Sequence, residues 1–204
     1  MTDRLAADDG GIAAAAALLQ DGELVAFPTD TVYGVGCATA HPVSVDRIYA
    51  LKRRPTDRLI PILVESLESV GPEWAVDDRA QALAGRFWPG ALTLVLHATD
   101  GRSQAFRAPD HPVALALIRA AGPLYTTSAN VSGEPETLDA DDVLIAFATQ
   151  GDGLAAVVDG GRVPGGVAST VLDLGAGGAH ILRPGPVGLA LLAEVVDLAD
   201  GPID

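Results

Sequence analysis

Apolar positions along the chain fall into short runs of strand length, separated by stretches with helical spacing. Residues 12–20 read as a helix, opened by the acidic Asp8-Asp9 and stopped near Gly22. Residues 24–27 form an apolar run of strand length that Pro28 ends. Val45, Ile48 and Leu51 give helical spacing within residues 43–53. Residues 60–64 then read as a buried strand, 78–87 as a helix closed by Trp88-Pro89-Gly90, and 91–97 and 105–107 as strands. A helix over 113–121 leads into a strand over 124–127. Asp139, with Asp142 three residues on, predicts a capped helix running to about residue 149. Strands over 155–158, 170–174 and 181–182 and a helix over 187–196 complete the series.

This alternation predicts an α/β (α+β) sheet domain. No repeat, heptad or low-complexity linker interrupts it, and the Gly-rich stretch 160–166 reads as a loop inside the fold. The 204 residues suit a single domain with its core at about 10–196. At 49% apolar residues, the chain is not a disordered one. No apolar run approaches the roughly 20 residues of a membrane helix. Residues 12–19, mostly alanine behind two aspartates, make a poor signal peptide. A single cysteine, Cys37, permits no intrachain disulfide and fits a reducing compartment, so the cytoplasm is the expected location.

Charge changes the picture. With 27 acidic against 13 basic residues, the net charge of −14 favours solubility and repels nucleic acid at long range. Lys52, Arg53, Arg54 and Arg58 nevertheless gather in one stretch. Spacing alone leaves two readings open: cations opposing a helix C-terminal dipole, or a site for anions.

Three hydroxyl-rich segments are the other candidates. Pro28-Thr29-Asp30-Thr31-Val32-Tyr33-Gly34 follows a strand and precedes a helix, where α/β sheets place ligands; a side-chain-stabilised turn explains the same residues. Residues 126–133, Thr-Thr-Ser-Ala-Asn-Val-Ser-Gly, could present backbone N–H groups to a phosphate or form a satisfied turn. Ser169-Thr170 follows Gly160, Gly161, Gly165 and Gly166, glycines that let a backbone approach a ligand closely, but no Lys-Ser or Lys-Thr pair makes this a P-loop. Arg107-Ala108-Pro109 and Arg183-Pro184-Gly185 place arginines at strand ends, suited to phosphate or carboxylate. His41, His97, His111 and His180 lack zinc-ligand spacing, so no protein-built metal site is expected. Cys37 reads as a small buried filler rather than a nucleophile. Asp30 could order a metal or a threonine hydroxyl, but one carboxylate makes no acid–base pair.

Taken in order, Pro28–Gly34, Lys52-x-Arg54, Trp88-Pro89-Gly90-x-Leu92-Thr93, Arg107-x-Pro109, Ser128-Ala129-Asn130-x-Ser132-Gly133, Ser169-Thr170-Val171 and Leu182-Arg183-x-Gly185 resemble the YrdC-like family of threonylcarbamoyl-AMP synthases, from about residue 10 to 196. The resemblance implies a YrdC-like twisted mixed sheet flanked by helices, with a concave, basic substrate-binding face. It implies formation of threonylcarbamoyl-AMP and pyrophosphate from L-threonine, bicarbonate and ATP, with Mg²⁺ arriving on ATP. The product would pass to the tRNA threonylcarbamoyl transferase machinery, which modifies the adenosine next to the anticodon; direct tRNA binding would be weak or absent. Lys52 and Arg54 would be the catalytic pair, holding ATP phosphates and the carbamate. Arg58, Ser103, Ser128, Asn130, Glu136 and Arg183 would join them in binding nucleotide. Thr31, Arg107, Thr126 and Ser169 would hold threonine. The chain departs from the family pattern at Arg53, Arg58, Leu63 and Ala168, where many or some relatives carry glycine, asparagine, histidine and glutamate. It ends soon after Arg183, as expected of a short form without a further C-terminal domain. Two alternatives accompany this expectation: a YrdC-like paralogue acting in RNA binding or ribosome assembly, and a carbamoyl-adenylate-forming enzyme.

Overall fold

A computed structural model describes residues 2–56, 58–150 and 153–199. The elements, in chain order, are β1 (Asp3–Ala6), α1 (Asp9–Gln20), β2 (Val25–Pro28), β3 (Tyr33–Ala38), α2 (Val45–Lys52), β4 (Ile62–Leu63), α3 (Asp78–Phe87), β5 (Leu92–His97), β6 (Ser103–Arg107), α4 (Pro112–Ala121), β7 (Leu124–Ser128), α5 (Ala140–Phe147), β8 (Ala156–Asp159), β9 (Thr170–Asp173), β10 (His180–Arg183) and α6 (Leu189–Ala193). The strands form one ten-stranded sheet in the order β1-β8-β2-β3-β7-β4-β6-β5-β9-β10. Its pairings are parallel at β1/β8, β8/β2, β4/β6 and β5/β9 and antiparallel elsewhere, so the mixed α/β fold is as expected.

Helix starts follow local chemistry. Asp8, Asp77 and Asp139 each accept a hydrogen bond from a backbone N–H of the first turn, giving donors that would otherwise be orphaned a partner. Around β2 both faces of the sheet are covered, so its side chains are apolar without alternation. Val25 and Phe27 pack with Leu19 of α1 and Leu117 of α4, while Leu24 and Ala26 pack with Ile48 of α2 and Phe147 of α5.

The other half of the sheet is covered on one face only. Leu92, Leu94 and Leu96 of β5, Phe106 of β6 and Leu172 of β9 pack with Leu83 of α3. Side chains alternate along a strand, so Thr93 and Val95, Ala105 and Arg107, and Val171 face the opposite way, into a cavity. The open face is a consequence of where the helices run out.

Three expectations change. The segment 33–38 is a strand, β3, antiparallel to β2, so Pro28–Gly34 turns a hairpin instead of joining strand to helix. Gly34 and Gly36 weaken its strand signal, yet the sheet requires them. A β-carbon on Gly36 would lie 2.5 Å from the Tyr125 carbonyl oxygen, and one on Gly34 2.8 Å from Thr126 Cγ2. The sheet also begins before residue 10, because β1 pairs with β8 as a polar edge strand. The helix over 187–196 shortens to Leu189–Ala193.

Helix α2 ends on Arg53, an exposed residue in the left-handed region with φ 50° and ψ 40°. A β-carbon costs about 1 kcal/mol there relative to glycine. Arg53→Gly should therefore raise unfolding stability by about 0.5–1 kcal/mol in chemical denaturation. A lower midpoint would show that the arginine side chain stabilises the loop.

Candidate active site

The uncovered face of the sheet, the β2–β3 turn, the loops after α2 and β7 and the segment just before β9 enclose a cavity of about 700 Å³. The charge distribution singles it out. Of the 13 basic residues, Arg4, Arg47, Arg79, Arg86, Arg102, Arg107, Arg119 and Arg162 form ion pairs with carboxylates. Among the described residues Lys52, Arg53, Arg58 and Arg183 form none. Lys52, Arg58 and Arg183, together with Arg54, line this cavity, and Arg53 stands exposed beside it.

Lys52, the chain's only lysine, is 1% exposed. Its Nζ donates to the Ser128 carbonyl oxygen, to the Asn130 carbonyl oxygen at 2.6 Å and to Asn130 Oδ1 at 3.1 Å. An ammonium has three N–H donors, so this set employs all of them. The Lys52 carbonyl in turn accepts from Ser132 N at 2.9 Å. Burial lowers the Lys52 pKa from 10.5 to about 8; nearby Glu136 opposes the shift and Arg54 adds to it. Lys52 thus lines the cavity and ties the end of α2 to the 128–132 turn.

Asn130 is the hub of that turn. Its Oδ1 also accepts from Ser128 Oγ at 2.7 Å, and its Nδ2 donates to the Glu134 carbonyl at 2.6 Å. Opposite, Arg107 is 6% exposed and held from three sides. Nε donates to the Gly90 carbonyl at 2.8 Å, one terminal nitrogen to Thr31 Oγ1 at 3.0 Å, and the other to Asp30 Oδ1 at 2.5 Å. Burial lowers its pKa, with Asp30 opposing that shift. Thr31 Oγ1 lies 3.1 Å from Thr29 Oγ1, which donates to the Val32 carbonyl at 2.7 Å.

A second arginine fixes the next wall. Arg183 donates from Nε and a terminal nitrogen to the Ser169 carbonyl, at 3.1 and 2.7 Å, and reaches Ser169 Oγ at 3.2 Å. Ser169 Oγ is also 2.7 Å from Thr93 Oγ1. Thr126 is buried on the same wall, its hydroxyl donating to the Leu124 carbonyl at 3.2 Å. Glu136 brings the cavity a carboxylate whose Oε2 is buried and has no hydrogen-bond partner among the described residues.

Eleven of the twelve residues nominated from sequence thus share one cavity: Thr31, Lys52, Arg54, Arg58, Arg107, Thr126, Ser128, Asn130, Glu136, Ser169 and Arg183. Ser103 does not line it. It stands two residues before Ala105 on β6, beside a neighbouring cleft that includes Trp74 and Phe106. Leu63 and Ala168, two of the departures from the family pattern, lie in the cavity wall as apolar side chains. Gly165 and Gly166 approach the Thr31 main chain: Gly166 N donates to the Thr31 carbonyl at 2.9 Å. Sequence reasoning missed the pairing of Asp30 with Arg107 and the role of Thr93. Thr93 did leave a signal, as the one hydroxyl within the apolar run Leu92–Leu96.

Known proteins share this fold and much of this sequence. The Sua5/YciO/YrdC family model, described as telomere recombination, matches residues 17–185. The threonylcarbamoyl-AMP synthase of Bacillus subtilis (strain 168) is 41% identical over 219 residues, covering 100% of this chain and 60% of that protein. A putative threonylcarbamoyl-AMP synthase of Mycobacterium tuberculosis (strain ATCC 25618 / H37Rv) is 36% identical over 196 residues, 91% of this chain and 89% of the relative. The crystal structure of P. abyssi Sua5 complexed with L-threonine matches with a TM-score of 0.87 at 34% identity, covering 98% of this chain and 62% of that one. The chain therefore spans about three-fifths of two of these relatives and most of the third. On the extent of the family match and the agreement of the fold, this chain belongs to the Sua5/YciO/YrdC family.

Proposed function

We propose that this chain is an L-threonylcarbamoyladenylate synthase, converting L-threonine, bicarbonate and ATP to threonylcarbamoyl-AMP and pyrophosphate. The observation that carries the reading is the gathering in one cavity of Lys52, Arg58 and Arg183, none of which forms an ion pair among the described residues, in a chain of net charge −14. Relatives named for this activity and a threonine complex of a structural neighbour support the substrate class.

The chemistry accounts for the residue types. Threonine's amine and bicarbonate condense to a carbamate with loss of water. A carbamate oxygen then bonds to the α-phosphorus of ATP as the bond to pyrophosphate breaks, a nucleotidyl transfer. An anion must approach a polyanion while charge builds on the leaving group, so fixed positive charge and alignment supply most of the acceleration. Arg54, Arg58 and Arg183 supply charge to the phosphates. Lys52 acts through the 128–130 turn, where Ser128 and Asn130 stand. Arg107 faces the threonine carboxylate, with the hydroxyls of Thr31, Thr126 and Ser169 around it. Glu136, with an oxygen that has no partner among the described residues, suits a hydroxyl donor such as those of ribose. Mg²⁺ enters as part of the MgATP substrate, coordinated by phosphates and water.

The product would pass to the machinery that modifies tRNA, and the net acidity opposes strong direct tRNA binding. A cytoplasmic location fits this role; among the described residues no helix is long and apolar enough to cross a membrane.

Pyrophosphate release from ATP, measured with threonine and bicarbonate omitted in turn, tests the reading. Release should require both. Release indifferent to threonine would overturn it.

A further inference from the structure

The Arg107 guanidinium has five N–H donors, of which the Gly90 carbonyl, Thr31 Oγ1 and Asp30 Oδ1 take three among the described residues. Two remain on the cavity side of the sheet. Of the three partners only Asp30 carries charge, and the pair is buried, with side chains 7% and 16% exposed. Asp30 Oδ1 also accepts from Asp110 N at 3.1 Å. The carboxylate therefore joins the β2–β3 turn to the segment leading into α4, with Arg107 between them.

Two forces would displace Arg107 without Asp30. Burial disfavours its charge, and Arg183 repels it; Asp30 is the group that opposes both. Two neutral acceptors do not offset the cost of a buried guanidinium.

We propose that Asp30 is a positioning residue for substrate recognition: it holds Arg107 with two N–H groups directed at the carboxylate of the bound amino acid. This rests on the reading that Arg107 takes the threonine carboxylate. Asp30 itself touches no substrate. Its effect belongs to one substrate, because Asp30 and Thr31 hold Arg107 at the β2–β3 turn, whereas Arg54 and Arg58 stand on the segment after α2. Binding lost equally from ground and transition states appears in KM and leaves kcat in place.

The test is steady-state kinetics and threonine titration calorimetry on the full chain. Asp30→Ala should raise the threonine KM and Kd at least about tenfold, as for loss of a charge-assisted contact. The ATP KM and kcat should stay within about threefold. Asp30→Asn keeps the Oδ1 acceptor and removes its charge, so the threonine KM should rise only about threefold; this arm decides the matter even if the alanine variant fails to fold. Unchanged threonine affinity in both variants, or equal rises in both KM values with a lower Tm, would overturn the positioning role alone. Wild-type protein that fails to bind threonine would overturn it together with the functional reading.

Discussion

Lys52→Met should lower the unfolding midpoint by roughly 5–12 °C and reduce pyrophosphate release about 100-fold, in a thermal melt and a rate assay on the same preparation. The two effects have one cause. Methionine fills the same volume but offers no donor, so the Ser128 carbonyl, the Asn130 carbonyl and Asn130 Oδ1 lose their shared partner. Orphaned buried acceptors cost about 1–3 kcal/mol each, and removal of a costly buried charge returns part of that. A net loss of about 2–4 kcal/mol remains. The turn then loses its tie to α2, and Ser128 and Asn130 shift from the positions a nucleotide would need. If the rate fell with no change in the melt, Lys52 would be a direct ligand contact with no part in holding the turn. Because the chain has one lysine, ε-¹³C-lysine NMR reports this group alone. Its resonance should titrate near pH 8, in keeping with burial; titration near 10.5 would mean the ammonium is solvated.

Gly165→Ala should cost about 2–4 kcal/mol of stability and weaken threonine use more than ATP use. A β-carbon at 165 would lie 1.8 Å from the Thr31 carbonyl oxygen and 2.7 Å from Thr31 Cα. Both are backbone atoms, and no side chain can rotate away to relieve the clash. Either the 160–166 loop or the β2–β3 turn must move by an ångström or more. The hydrogen bond from Gly166 N to the Thr31 carbonyl breaks with it. Thr31 Oγ1 is one of the three points that hold Arg107, so the disturbance reaches the proposed carboxylate site. An unchanged threonine KM in the folded variant would show that the turn and Arg107 are uncoupled.

Local signals located most elements because their causes are local. The capped helix start at Asp139 and the α3 boundaries follow from a side chain and a backbone within a few residues of each other. β3 was not legible for the opposite reason. Gly34 and Gly36 look like turn residues until Tyr125 and Thr126 of β7 are brought against them, about 90 positions away. The site shows the same division. The hydroxyls, arginines and asparagine of the family pattern named its members, but hydrogen-bond partners are a tertiary property. The sequence marked Lys52 and Arg54 as an equivalent pair; in the fold the ammonium is buried in a turn while Arg54 stays part-exposed on the cavity wall. Asp30 carried no sequence signal for its role, since Arg107 lies 77 residues away.

By itself, then, the sequence determined the class of fold, the excess of acid, the gathering of cations at 52–58, and a motif order sufficient to identify the family. Those depend on composition and on interactions between near neighbours. Only the tertiary structure decided which cations lack carboxylate partners, which face of the sheet stays open, and which side chains position others. The reason is that burial and charge pairing depend on distances in space, and the sheet brings together residues that the chain keeps far apart.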